Sequence, residues 1–184
     1  MSHDATAAKP YGGNTRAAWL ATATGIPIYV ALCAVVWGPG VALFAALAED
    51  ESSPTVQTPA LSVIAAVSIL IVVVGIAAVA HTVGRLVFAR TASWDLSKAA
   101  VAFGAMAALL AVVPVVLISM GQEDTWAAAA ASVIVILFPC ALTAAATRAL
   151  LPSVDRFAAL RTTVIVLLVI ALIALVVFTF YAFV

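Results

Sequence analysis

Every lysine and arginine of this chain lies at one kind of boundary between apolar runs. Lys9 and Arg16 precede the first run, Arg85, Arg90 and Lys98 flank the second connection, and Arg148, Arg156 and Arg161 flank the fourth. The first and third connections carry no basic residue. They carry acids instead: Glu49, Asp50 and Glu51 in one, Glu123 and Asp124 in the other. Basic residues next to membrane spans are retained on the cytoplasmic side. This alternation therefore predicts five spans, with the N-terminus in the cytoplasm and the C-terminus outside.

The composition agrees with that reading. Of the 184 residues, 66% are hydrophobic and 9% charged, against about 25% charged in an ordinary soluble domain. So few charges cannot cover a water-facing surface, and lipid must solvate most of the chain. The runs are continuous, without the two-residue alternation of an outer-membrane barrel. In lipid the backbone of each run must satisfy its own hydrogen bonds, so the runs are helices. The expected fold class is an all-α integral membrane protein, a five-helix bundle. The net charge is zero and the basic residues are spread one or two to a boundary, so no nucleic-acid partner is expected.

Residues 1–16 are polar or rich in Gly and Ala and read as a flexible cytoplasmic tail, not a signal peptide. Residues 17–184 form the membrane domain, with spans near 17–37, 60–89, 98–120, 125–151 and 162–184. Four prolines, Pro27, Pro39, Pro114 and Pro139, fall inside the runs and should kink them. Gly38-Pro39-Gly40 leaves two arrangements open. Either residues 41–48 form a separate interfacial helix, or the first run is one long tilted helix. Trp19 and Trp37 would anchor the first span at the two interfaces. Residues 152–161 read as an inner loop or short interfacial helix. The short third connection makes spans three and four antiparallel neighbours.

Three rows of small residues at four-residue spacing are candidates for close helix packing: Ala17, Ala21 and Gly25; Ala100, Gly104 and Ala108; Ala141, Ala145 and Ala149. The fifth run lacks such a row and is expected at the periphery, facing lipid or another protein.

The chemistry-bearing residues are few. No Asp, Glu or Lys falls in the central part of any span, as a proton- or sodium-coupled transporter would require. There is no row of arginines for voltage sensing, and with only His3 and His81 there is no pair of axial haem ligands. No G-x-S-x-G, H-E-x-x-H, Walker A or G-x-G-x-x-G motif occurs. Cys33 and Cys140 lie in apolar runs and read as small hydrophobes. The loop acids read as solvated charge, so neither a metal nor a cofactor is expected. His81 and Arg85, four residues apart, should share a helical face near the inner boundary, where they could meet a lipid or quinone headgroup or a partner subunit. With the other basic residues committed to topology, Arg85 alone among them is left with a second role.

These readings point to a small non-catalytic multi-pass protein of a bacterial cytoplasmic membrane. Its expected partners are the bilayer and either other membrane subunits or copies of itself. The first expectation is an accessory or structural subunit of a larger membrane complex. The alternative is a homo-oligomeric channel or small-solute transporter, lined by Ser, Thr, Gly and kinked backbone.

Overall fold

The structure is a computed structural model that describes residues 15–47, 69–70, 73–122 and 124–183. Every regular element among them is helical: α1 (Thr15–Leu47), α2 (Val73–His81), α3 (Val83–Arg90), α4 (Leu96–Met120), α5 (Thr125–Ser132), a π turn (Val133–Leu137), α6 (Phe138–Arg156) and α7 (Ala158–Phe183). Four helices are long and apolar enough to cross a membrane: α1, α4, the continuous α5–π–α6 rod and α7. The pair α2–α3 makes a fifth if its two bent halves count as one span. Most of the tail, the first acidic connection, Glu123 and much of the first half of the second run lie outside the described residues.

The rod Thr125–Arg156 is the centre of the bundle. It packs most extensively on α4 and α1, and α7 lies against α1 and the α6 part of the rod. One apolar cluster joins Ile26 of α1, Val73 of α2, and Ala171 and Leu175 of α7. Another joins Ala111 and Val115 of α4 to Ile136 in the π turn. The outward faces are apolar too, with Val101, Leu109, Leu117 and Ile173 all exposed, as lipid-facing surface is.

The chain departs from the expected spans in three places. The first is α1, where the single long helix, one of the two arrangements left open by the sequence, extends over 33 residues and holds both Pro27 and Pro39. Residues 41–47 continue it and do not form a separate interfacial helix. Its rise of about 50 Å exceeds a hydrocarbon core of about 30 Å, so it must tilt or protrude. A proline removes one backbone bond, which neighbouring helices can offset in a membrane. The neighbour here is the π turn: Gly40 is buried so closely against Val135 that an added Cβ would overlap its Cγ2. Gly38 has nothing within 4 Å, so of the two glycines only Gly40 is required by packing.

The second departure is in the second run, expected as one span over residues 60–89. The helix instead bends by 49° between α2 and α3. Thr82 sits at the break with φ −120° and ψ −97°. Its amide donates to the Val79 carbonyl at 3.2 Å, one residue short of the helical partner, and its hydroxyl donates to the Ala78 carbonyl at 2.7 Å. The Val79 carbonyl oxygen then stands 2.8 Å from where a Cβ on Gly84 would be, so the bend needs glycine at that position.

The third departure is at the end of the fourth run. The helix was expected to stop at Leu151 before Pro152, but α6 continues to Arg156 with Pro152 inside it. Buried Leu151 and Val154 hold the last turns. An ion pair from Asp155 to Arg16 of α1, at 3.3 Å, ties down the tip. Only Phe157, in extended conformation, separates α6 from α7. There is no separate loop or interfacial helix over 152–161, and the fifth helix begins at Ala158 and not near 162.

Pro139 has its own accommodation. A helical proline clashes with the carbonyl four residues back, here Val135. The π turn widens the backbone at that point, and the Phe138 amide donates to the Val133 carbonyl, five residues back. The expected kink takes the form of a π bulge, a recognised cause of helix bending.

Candidate functional site

Sequence order and pairing bring α1, α2–α3, α4 and α6 around one cavity of about 340 Å³. From α1 it receives Ala17, Ala21 and Gly25. This row of small residues leaves space as much as it draws helices together. At Gly25 the packing is close, with a Cβ position 3.3 Å from Ile76 Cγ2 and 3.4 Å from Thr147 Oγ1. The other two rows meet each other. A Cβ on Gly104 would lie 3.2 Å from the Ala141 carbonyl oxygen and 3.3 Å from Ala145 Cβ. That contact brings α4 and α6 to backbone distance, while Ala100, Ala108 and Ala149 are half-buried.

The polar groups of the cavity come mainly from one face of α6. Thr143, Thr147 and Arg148 all line it, and Arg85 of α3 joins them. Thr143 and Arg148 are 3% and 7% exposed. The Arg148 guanidinium lies over the Phe88 ring at 4.6 Å and 6.0 Å from the Phe103 ring. Those two rings meet edge to face at 6.3 Å. A guanidinium above an aromatic face gains about 2 kcal/mol or more when desolvated. A cation–π contact of this kind does not by itself satisfy the N–H donors of the group. Arg148 Nε has no hydrogen-bond acceptor, and the hydroxyls of Thr143 and Thr147 also lack partners.

Other threonines and serines of the bundle behave differently. The hydroxyls of Thr22, Thr24 and Ser119 donate to the carbonyls of Ala18, Leu20 and Val115, four residues back, at 3.0, 2.7 and 2.7 Å. Thr143 and Thr147 of α6 lack that back-bond. A buried polar group left unpaired costs about 1–3 kcal/mol. Three such atoms belong to residues that line one cavity.

His81 and Arg85 do not share a face. The bend at Thr82 places them on different helices. Arg85 lines the cavity, but His81 is not among its lining residues. The imidazole is half-buried against the edge of Trp19, at 4.8 Å and 70°, with Nε2 unpartnered. Of the prolines, Pro114 lines the cavity, Pro139 is fully buried behind it, Pro27 is half-buried and Pro39 is exposed.

Arg148 is the residue that the sequence reading assigned only to topology. The expectation that Arg85 alone among the basic residues has a role beyond topology is therefore corrected. The signal was present in the sequence, because Arg148 falls inside the expected span 125–151. It stands eight residues before Arg156, about 12 Å along a helix, and its position beside Thr143 and Thr147 completes a polar stripe. Among the described residues, no three His, Cys, Asp or Glu side chains come together as a metal site would need. Cys33 and Cys140 are free thiols. Comparison of the chain with protein-family models, with curated proteins and with solved structures finds no match.

Proposed function

We propose that this chain is a non-catalytic five-span protein of a bacterial cytoplasmic membrane, with its N-terminus inside and its C-terminus outside. In this reading it serves a larger membrane complex as an accessory subunit and contributes a binding pocket to it. The observation that carries the non-catalytic part is the make-up of the cavity. Its described lining offers arginine and threonine donors and one thiol, with no carboxylate or imidazole among them to move a proton. Such groups hold a ligand; general acid–base chemistry needs a titrating partner within reach. The accessory role is supported by α7, which is wholly apolar from Val164 to Phe178 and packs along one stripe only, with Ala171 and Leu175 buried and most of its remaining residues exposed. An obligate partner would cover such a face.

The test is extraction from native membranes in a mild detergent, followed by mass analysis of what travels with the chain. Larger membrane subunits at fixed stoichiometry are expected. A monodisperse monomer without protein partners would refute the accessory role. The second reading, a small-solute carrier or homo-oligomeric channel, is favoured by one feature: Pro114 puts a break in the backbone hydrogen bonding of α4 at the cavity wall. Selective flux through proteoliposomes of the purified chain would decide for it.

A further inference from the structure

The cavity has a direction. Along α4 its lining runs from Phe103 to Pro114, and along α6 from Leu151 back to Cys140. Eleven residues of helix rise about 16 Å, half of a hydrocarbon core of about 30 Å. The slot is therefore about as long as one leaflet is deep. Its charged groups are at one end. Arg148 packs on Phe88 and Phe103, toward the end of α6 that the Arg16–Asp155 pair joins to α1, and Arg85 lies one turn before Phe88 in α3. Away from that end, past Thr147 and Thr143, the walls turn apolar toward Pro114, Gly75 and Cys140.

The polar end calls for one kind of group. A guanidinium is a donor only, and it matches the oxygens of phosphate or carboxylate in a planar fork. The two threonine hydroxyls can add donors, and none of the three unpartnered atoms has an acceptor among the described residues. No Asp or Glu among the described lining residues stands beside Arg148. A phosphate, with its several acceptor oxygens and its charge, fits such a cluster better than a neutral head would. The apolar remainder of the slot fits an alkyl chain, and a volume of about 340 Å³ falls in the range of small-molecule sites.

We propose that this slot binds a phosphate-headed amphiphile from one leaflet. Arg148, Thr143 and Thr147 hold the phosphate together with Arg85, and the chain lies along α4 toward Pro114. The proposal rests on reading the cavity as a binding pocket. It does not depend on whether the protein is an accessory subunit or a carrier.

The test uses the purified full-length chain in detergent micelles and native mass spectrometry with three probes. Oleoyl lysophosphatidate has the phosphate and one chain, monooleoylglycerol has the same chain without phosphate, and inorganic phosphate has no chain. Lysophosphatidate should bind at least about tenfold tighter than monooleoylglycerol, the value of one charged hydrogen bond. Arg148→Gln should abolish that preference and leave monooleoylglycerol binding unchanged. Thr143→Val with Thr147→Val should reduce the preference without unfolding the bundle, which keeps the test available if the arginine variant does not fold. Equal binding of the two oleoyl probes would overturn the proposal, as would a wild-type preference in the threonine double variant. Displacement of lysophosphatidate by inorganic phosphate at comparable concentration would assign the site to a free anion and overturn the amphiphile. Because the isolated chain is measured, these outcomes are independent of any protein partner recovered from membranes.

Discussion

α6 and α7 are joined through a single extended residue, yet they treat polar groups in opposite ways. α7 is exposed along nearly its whole length, and where it carries threonines at its start, both are satisfied locally. Thr162 and Thr163 donate to the carbonyls of Ala158 and Ala159 at 3.1 and 3.0 Å. α6 is enclosed by α1, α4 and α7, and there Thr143, Thr147 and Arg148 keep polar atoms without partners. A helix facing lipid must settle its hydrogen bonds within itself, because nothing outside will accept them. A helix inside the bundle can carry an unsettled group, provided that the surrounding packing holds it and a ligand or partner can meet it. The difference teaches where function can reside in a chain of this composition: on the enclosed helix, on the face turned to the cavity.

That contrast depends on α4 and α6 being in tight contact beside the cavity, and the largest expected effect tests it. Gly104→Leu would force a side chain against the Ala141 carbonyl oxygen and Ala145 Cβ, where even a Cβ would stand at 3.2 and 3.3 Å. Overpacking of this kind costs about 1–3 kcal/mol, and the closeness of the backbone puts this substitution at the upper end. Thermal unfolding in detergent should fall by roughly 6–12 °C for a chain of this size. An unchanged midpoint would mean that the helices separate without loss, and α6 would then be no more enclosed than α7.

Much of this organisation was legible in the residues. The apolar runs predicted helices, the row spacing identified Gly104, Ala141 and Ala145, and the featureless fifth run predicted an outlying helix. The bend at Thr82 was not legible. It arises from one amide bonding three residues back instead of four, and the sequence signal, Gly84, is common background in an apolar chain. The continuity of α1 was left open because Gly38-Pro39-Gly40 is a strong local breaker. It is overridden by contact between Gly40 and Val135, residues far apart in sequence. Arg148 was misread for a different reason. Charge near the end of a span is ordinarily a topology anchor, and only packing by Phe88 and Phe103 reveals that this one is turned into the bundle.

A middle-sized effect separates satisfied from unsatisfied hydroxyls. Thr143→Val together with Thr147→Val removes two buried oxygens that have no partner. In the ligand-free protein this should raise stability by about 1 kcal/mol or more, since the cost of burying an unpaired group disappears. The unfolding midpoint should rise by roughly 2–4 °C. Thr24→Val removes a hydroxyl that is bonded to the Leu20 carbonyl at 2.7 Å, so it should give no such gain. If both substitutions shift the midpoint alike, the distinction between the α6 face and the rest of the bundle fails.

The smallest effect belongs to α7 and is informative for that reason. Ile173 is 58% exposed on its outer face. In lipid there is no hydrophobic drive for a side chain that already lies among hydrocarbon tails. Ile173→Ala should therefore leave the stability of the isolated chain within about 0.5 kcal/mol. Its consequence should appear only in the assembly. If α7 presents this face to a larger subunit, Ile173→Trp should weaken co-purification in mild detergent while the purified chain unfolds as before. Loss of stability in the isolated chain would instead show that the outer face of α7 already packs on protein within the monomer or its own oligomer. α7 would then no longer be the lipid-facing counterpart of α6. Retention of every partner by both variants would leave the face to lipid alone and move the search for a docking surface to another helix.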